Sequence, residues 1–458
     1  MRIIILGASE VGENLARVLV AEDNDVILID ENNKRLDEVK QRLDVQTVTG
    51  SASHPRILIN AGIEQAELVI AVTPNDEINM ISALIAIKIF DVPKIIARIS
   101  SEDYHQHPEL FAKNVIPIKT LIYPTELIID HIVRVIEYPD FFQIFNFYND
   151  AVCMVSFEIQ SQDWMNGQTI AAVKEKLSDV HVAIVAIFQK KQCVPISDTY
   201  TLILKDKLLC ILPTSVIPIF LKALKRTTHA HRRIMIAGGG PIGTGLAKRL
   251  EAYHQTKLIE HTDEQIEQDV AQLDQTIVLQ GDIADRDLLV NENIDDMDIF
   301  CAVTSDDEAN IMSSLQAKYL GANYAMSLVN RESYIDLIED SLIDHALSPQ
   351  YITVGNILSK IRHGNMIKIH RLQEDEAEAI ELIVEGDESS SSVIGRPISE
   401  IEFPPHCTVA GVIRKNKLVL QYADLVLAAN DHVILLLLKK RYIHQLEALF
   451  QVNLTFMS

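Results

Sequence analysis

Cationic side chains are scarce in this chain of 458 residues: 41 Lys and Arg stand against 64 Asp and Glu, a formal net charge of −23. Affinity for nucleic acid and for anionic lipid is built largely from Lys and Arg, so neither partner is expected. Cysteine is also sparse. The five thiols, Cys153, Cys193, Cys210, Cys301 and Cys407, are odd in number and never spaced as CxxC, which fits reduced, buried side chains rather than a disulfide framework or zinc knuckle. No apolar run approaches the ~20 residues that a membrane span needs; Val433 to Leu438 has the length of a buried strand. A strand pattern begins at residue 3 with no secretory leader ahead of it, so a cytoplasmic protein without its own membrane span is expected. There is no HxxxH or HExxH pair, no GxSxG elbow and no P-loop. His105 and His107 read as loop residues, and His229 and His231 as linker residues.

What the chain does contain is a long internal repeat. Met1-Arg-Ile-Ile-Ile-Leu-Gly7-Ala-Ser-Glu-Val-Gly12 returns, 231 positions on, as Arg233-Ile-Met-Ile-Ala-Gly238-Gly-Gly240-Pro-Ile-Gly243. Ala71-Val72-Thr73 returns as Ala302-Val303-Thr304, and Asp76-Glu77-Ile78-Asn79 as Asp307-Glu308-Ala309-Asn310. In the first copy, β-branched runs at Ile3–Leu6, Val26–Ile29, Thr47–Val48, Leu68–Val72 and Ile95–Ile99 alternate with helical patterns, which predicts a parallel sheet with crossover helices. Helical stretches from Pro124 to Glu137 and Pro349 to Arg362 follow the two copies and are expected to link or swap onto a neighbour. Beyond them the pattern turns β-rich and repeats weakly: Gly167 matches Gly395, Val185-Ala-Ile-Phe matches Ala410-Gly-Val-Ile, and Leu204-Lys-Asp-Lys matches Ala429-Asn-Asp-His. The expected fold class is α/β: two Rossmann-like parallel-sheet domains at 1–138 and 231–365, each followed by a small α+β domain at 139–230 and 366–458.

A GxGxxG pattern alone is weak, but here a strand precedes it, a helix follows, and an acid stands at the end of the next strand. The turn residues Gly7, Ala8, Ser9, Glu10, Val11 and Gly12, and Gly238, Gly239, Gly240, Pro241, Ile242 and Gly243, would hold a pyrophosphate on helix N-terminal N–H groups. Asp30 and Glu260, at strand ends on a solvent-facing cleft, are placed to accept hydrogen bonds from the adenosine ribose. A carboxylate there repels a 2′-phosphate and favours NAD or an adenine nucleotide over NADP. Ser9 stands where the pattern asks for its second glycine. Thr73, with Pro74, and Thr304 end the fourth strands, where open α/β sheets place ligands; they read as pocket lining or as helix caps. Asp76, Glu77, Asp307 and Glu308 complement the dipoles of the helices that follow. Asp282, beside Gly281, is a further candidate polar contact. Arg98 is the cation placed to reach phosphate in the first copy, and Leu328 stands opposite it in the second, so the two sites are not expected to be equivalent.

These residues resemble the regulator of potassium conductance, or RCK, family, in an arrangement similar to the tandem regulators of Trk-type potassium uptake. The carriers are Ile4 to Gly7, Val11-Gly12, Asp30, Gly50 to Pro55, Ala71 to Thr73, Asp76-Glu77, Asn79 and Ala97 to Ile99. In the second copy they are Gly238 to Gly240, Glu260, Gly281-Asp282, Ala302 to Thr304, Asp307-Glu308 and Asn310. Ser9 departs from the family's usual glycine, and His406 from a usual turn glycine. The resemblance implies a non-enzymatic, peripheral regulatory subunit on the inner face of the membrane, assembled as a homotetramer. Its ring would lie under a Trk-type potassium-translocating subunit and respond to NAD(H) or to ATP and ADP. The alternatives are an NAD-dependent oxidoreductase, for which the repeats leave no substrate domain, and an assembly scaffold with inactive nucleotide pockets.

Overall fold

The computed structural model describes residues 1–138, 141, 143–190, 192–194, 196–226, 232–338, 341–361, 366–372 and 377–452. His229, His231, Arg362 and positions 374–376 lie outside the described residues. The first segment runs β1 (Arg2–Leu6), α1 (Glu10–Ala21), β2 (Asp25–Asp30), α2 (Asn33–Arg42), β3 (Gln46–Thr49), α3 (Pro55–Asn60), β4 (Leu68–Ala71), α4 (Asp76–Lys88), β5 (Lys94–Arg98), α5 (Glu102–His105), β6 (Thr120–Ile122) and α6 (Pro124–Glu137). The second holds β7 (Gln143–Phe147), β8 (Val152–Glu158), α7 (Ile170–Lys176), β9 (Ala183–Gln189), β10 (Gln192–Val194), β11 (Lys207–Pro213) and α8 (Ile217–Ala223). The third repeats the first with β12 (Arg233–Ala237), α9 (Pro241–Leu250), β13 (Gln255–Glu260), α10 (Asp263–Gln272), β14 (Ile277–Gln280), α11 (Arg286–Asn291), β15 (Ile299–Ala302), α12 (Asp307–Leu320), β16 (Tyr324–Leu328), α13 (Glu332–Ile338), β17 (His345–Leu347) and α14 (Pro349–Ile361). The last holds β18 (Met366–Arg371), β19 (Glu378–Ile383), β20 (Cys407–Arg414), β21 (Lys417–Val419), β22 (His432–Leu437) and α15 (Ile443–Phe450).

Each first-type segment forms a six-stranded sheet, in the orders β3-β2-β1-β4-β5-β6 and β14-β13-β12-β15-β16-β17. Every described pairing in these sheets is parallel, for example Ile4 opposite Ile27 and Val69. Helices cover both faces of such a sheet, so a central strand must be apolar on both sides. Ile3, Ile4, Ile5 and Leu6 are accordingly all buried. The strand order reverses between β1 and β4, and again between β12 and β15, which opens a crevice at the carboxyl ends where ligands bind in such sheets. The sixth strands, β6 and β17, extend the five that periodicity showed.

The chain gathers into two compact units, Met1–Ile136 with Ala230–Lys360, and Glu137–His229 with Ile361–Ser458. In the first unit α6 does swap onto a neighbour. Ile128, Ile129, Ile132, Val135 and Ile136 join Ile234, Ile236, Leu246, Leu250 and Ile299 in one core, so the helix ending the first copy packs on the sheet of the second. Gly245 lets the two helices meet: a Cβ there would lie 2.6 Å from Ile129 Cδ1. Arg249 adds ion pairs to Glu126 at 2.8 Å and Asp130 at 2.9 Å.

In the second unit two five-stranded antiparallel sheets, β10-β9-β11-β8-β7 and β18-β19-β22-β20-β21, share a core. Met154, Phe188, Leu209 and Ile211 from one meet Ala379, Ile413, Ile434 and Leu436 from the other. The weak repeat is visible in the backbone, because Gly167 and Gly395 both take φ +78°. His406 holds a left-handed φ of 62°, the conformation for which glycine is the usual choice. No disulfide joins any of the five cysteines among the described residues, and Cys153, Cys210 and Cys301 are buried.

Candidate nucleotide-binding sites

Both glycine turns fold as their spacing demands. Gly7 and Gly238 take φ +107° and +112°, and a Cβ on Gly12 or Gly243 would stand 1.9 or 1.8 Å from the carbonyl oxygen of Gly7 or Gly238. The third glycine of each pattern is therefore fixed by the turn's own backbone, whatever the ligand. Each turn is also tied to the acid of the next strand. Asp30 accepts from the backbone N–H of Ala8 at 2.7 Å and of Asn32 at 2.8 Å. Glu260 accepts from Gly239 at 2.8 Å, His261 at 2.9 Å and Thr262 at 2.8 Å. Burial pushes the Glu260 carboxyl up, but the backbone donors of Thr262, Gly239 and His261 outweigh it, and its pKa lies below the ordinary value. Glu260 is only 7% exposed, so it does not face solvent as the sequence suggested. Its carboxylate is drawn inward by the three N–H groups it satisfies.

The first copy carries a cavity of about 640 Å³, lined by Ala8, Ser9, Glu10, Val11 and Glu13 of the turn and α1, Arg35, Glu38 and Val39 of α2, and Arg98 and Ser100 at the end of β5. The side-chain oxygen of Ser9 is buried and has no hydrogen-bond partner among the described residues. At Gly240, which occupies the corresponding position, a Cβ would meet nothing within 4 Å. Ser9 thus does not crowd its turn, and it leaves a hydroxyl free for a ligand. Arg98 Nε donates to Ser100 Oγ at 3.0 Å. Burial lowers the Arg98 pKa, against the opposing pull of Asp76. Pro124, Thr125 and Ile128 of α6 add to the lining, and the second copy supplies the rest of the wall with Ile242, Asn330, Pro349, Gln350 and Thr353. Gln350 Nε2 donates to Asn330 O at 2.7 Å and to the Glu10 carboxylate, while its Oε1 accepts from Asn14 at 3.2 Å. Arg35 and Gln350 were not legible as site residues, since neither belongs to the glycine pattern.

Thr73 and Thr304 are tied to the helices that follow, whose caps are Asn75 and Asp306. Each hydroxyl donates to a buried asparagine at 2.7 Å, Asn79 or Asn310. The asparagine amides return bonds to the threonine carbonyl and to the last residue of the fifth strand, Arg98 O or Leu328 O, both at 3.0 Å. Those bonds confirm that Leu328 stands where Arg98 does. Neither Thr73 nor the exposed Pro74 lines the cavity. Asp76 binds the next loop, accepting from Ser100 N and Ser101 N, as Asp307 does from Asn330 N and Arg331 N. Asp282 is exposed and closes its own turn by accepting from Ala284 N at 2.8 Å.

In the second copy a different acid enters the turn. Asp269 of α10 is fully buried, with Oδ1 accepting from Thr244 Oγ1 at 2.6 Å and from Gln265 Nε2 at 3.0 Å. Its Oδ2 has no partner among the described residues. Burial raises the Asp269 pKa, and Glu260 adds to the rise against those two bonds. The sequence carries a faint signal of it, a glycine at position 239 where the first copy has Ala8.

The TrkA-N domain model matches residues 3–118 and 234–349, and the TrkA-C domain model residues 387–451. The chain is 40% identical over 457 residues to the Trk system potassium uptake protein TrkA of Halomonas elongata and 38% identical over 458 to that of Vibrio alginolyticus, with 100% of each chain covered in both. Among solved structures it resembles the GsuK channel bound to NAD, with a TM-score of 0.62, 16% identity, and coverage of 98% of this chain and 79% of that one. It also resembles GsuK bound to ADP, with a TM-score of 0.50, 15% identity, and coverage of 79% and 69%.

Proposed function

The chain belongs to the TrkA family of Trk-system potassium uptake proteins, and from that premise we propose that it is a nucleotide-sensing regulatory subunit. It binds NAD(H), or ATP or ADP, in the first cavity and gates a Trk-type potassium-translocating membrane subunit. The observation that carries this reading is the cavity itself: an unpartnered Ser9 hydroxyl beside two arginines, Arg35 and Arg98, at the start of a 12-residue helix. Phosphates rest on the N–H groups at the head of α1, where the helix dipole favours negative charge. Ser9 donates to them and Arg98 neutralises them. Asp30, already held by Ala8 and Asn32, turns its remaining lone pairs to the ribose and disfavours a 2′-phosphate.

Because the second copy forms one wall, nucleotide occupancy acts on both copies. An incoming phosphate repels the Glu10 carboxylate, which Gln350 holds, so the Glu10–Gln350 link shifts. A ligand biases the two states of the protein only by the difference in its affinity for them, and contacts shared between copies supply such a difference. No described helix is long and apolar enough to cross a membrane. A homotetramer docked on the inner face of the membrane under its partner accords with this reading. No turnover is expected.

Calorimetric titration with NAD, NADH, ADP and ATP tests the proposal, followed by potassium flux through the reconstituted membrane subunit with the same ligands. Binding without consumption and ligand-dependent flux support it. Steady oxidation of NADH would overturn it in favour of a dehydrogenase.

A further inference from the structure

The two glycine turns differ in one paired exchange. Position 8 is alanine and the buried residue nine positions beyond the strand-end acid Asp30 is Val39. In the second copy the corresponding residues are Gly239 and, nine positions beyond Glu260, Asp269. The exchange is steric: a Cβ on Gly239 would stand 2.1 Å from Asp269 Oδ2. The carboxylate therefore occupies the space that the Ala8 methyl group takes in the first copy. It is anchored there by Thr244, whose hydroxyl also lies 2.7 Å from Gly239 O. A phosphate approaching the turn at Gly240 would meet an unpartnered carboxylate oxygen in a buried setting, where like charges repel strongly. Leu328 in place of Arg98 removes the cation that would offset this.

We infer that Asp269 closes the second glycine turn to nucleotides, so that one chain takes one dinucleotide, in the first copy. This rests on the nucleotide-binding reading of the first cavity. Asp269 acts as a built-in anion in the place of a phosphate, and Gly239 is there to admit it rather than to approach a pyrophosphate.

NADH titration of the intact chain, read as sites per chain, tests this. Wild type is expected to bind one, Asp30→Ala none, and Asp30→Ala with Asp269→Val one again, now in the second turn. A site remaining in Asp30→Ala, or none appearing in the double variant, overturns the inference. Asp269→Ala in the same background repeats the test should valine fail to fold. If wild type binds nothing, the reading of the first cavity fails. Asp269→Val alone then decides: gain of one site upholds the closure by Asp269, and no gain overturns it. Independently of any ligand, Gly239→Ala is expected to lower the melting temperature, and Asp269→Val to restore it, since the pair recreates Ala8 and Val39. Absence of that rescue also overturns the inference.

Discussion

The first and second glycine turns share a backbone and differ in charge. Both have a left-handed first glycine, a third glycine pressed on a carbonyl, and an acid that binds the turn's N–H. Around that frame the first copy offers Ser9, Arg35 and Arg98, while the second has Gly240, Leu328 and the buried Asp269. A duplicated fold thus keeps what its backbone requires and varies what its ligand would touch. The motif identifies the fold, and only the side chains around it tell a receptive site from a closed one.

The shared frame can be broken in both copies alike. Gly12→Ala and Gly243→Ala each force a Cβ to within 2 Å of a backbone oxygen, at 1.9 and 1.8 Å. Backbone cannot yield as a side chain can, so each is expected to cost about 3 kcal/mol. Urea unfolding should show similar losses for the two. A loss in one alone would mean that the turns are not equivalent in structure. The next effect separates them. Gly239→Ala should cost about 2 kcal/mol through overpacking against Asp269, whereas Ala8→Gly should cost under about 1 kcal/mol, for the added chain entropy. Equal costs would remove the steric distinction between the turns.

A third variant sharpens the difference in charge. Arg98→Leu installs the residue of the second copy and is expected to weaken nucleotide binding at the first cavity about tenfold, or ~1.4 kcal/mol. Unchanged affinity by calorimetry would make Arg98 a structural partner of Ser100 instead.

Much of this arrangement was legible in the sequence because it is written in local patterns. Parallel strands buried on both faces leave continuous β-branched runs such as Ile3 to Leu6, and duplication marked the turns twice. The apolar face of α6 was equally plain, although its period could not say which sheet it covers. The sixth strands, β6 and β17, escaped because three residues carry no period. Thr73 and Thr304 looked like pocket residues because they sit at carboxyl ends of strands; the asparagines that claim their hydroxyls stand six positions on. Asp269 reads in sequence as one more polar residue among Glu267, Gln268 and Gln272. Only the packing of α10 on α9 turns it inward. Gln350 reaches the first cavity from 340 positions past Glu10, a distance that no spacing rule covers.

The smallest expected effect is one of pH, and it separates the two acids of the second turn. Asp269 faces Glu260 from β13 and Thr244 from α9, with Gln265 on its own helix. Its pKa is raised, first by burial, so the folded chain holds its proton more tightly than the unfolded chain does. The stability this contributes is present below the unfolded carboxylate value of about 4 and is lost as pH rises through the folded value. Glu260 behaves in the opposite sense. Its lowered pKa contributes stability above the unfolded value, lost as pH falls through the folded one. Asp269→Asn should therefore gain on wild type as the solution goes from well below the unfolded carboxylate value to neutral, and Glu260→Gln should fall behind wild type over the same interval. Urea midpoints at the two pH values measure both. Parallel trends in the two variants would mean that Asp269 and Glu260 do not hold opposite proton affinities, and the charge distinction between the two turns would then rest on Arg98 alone.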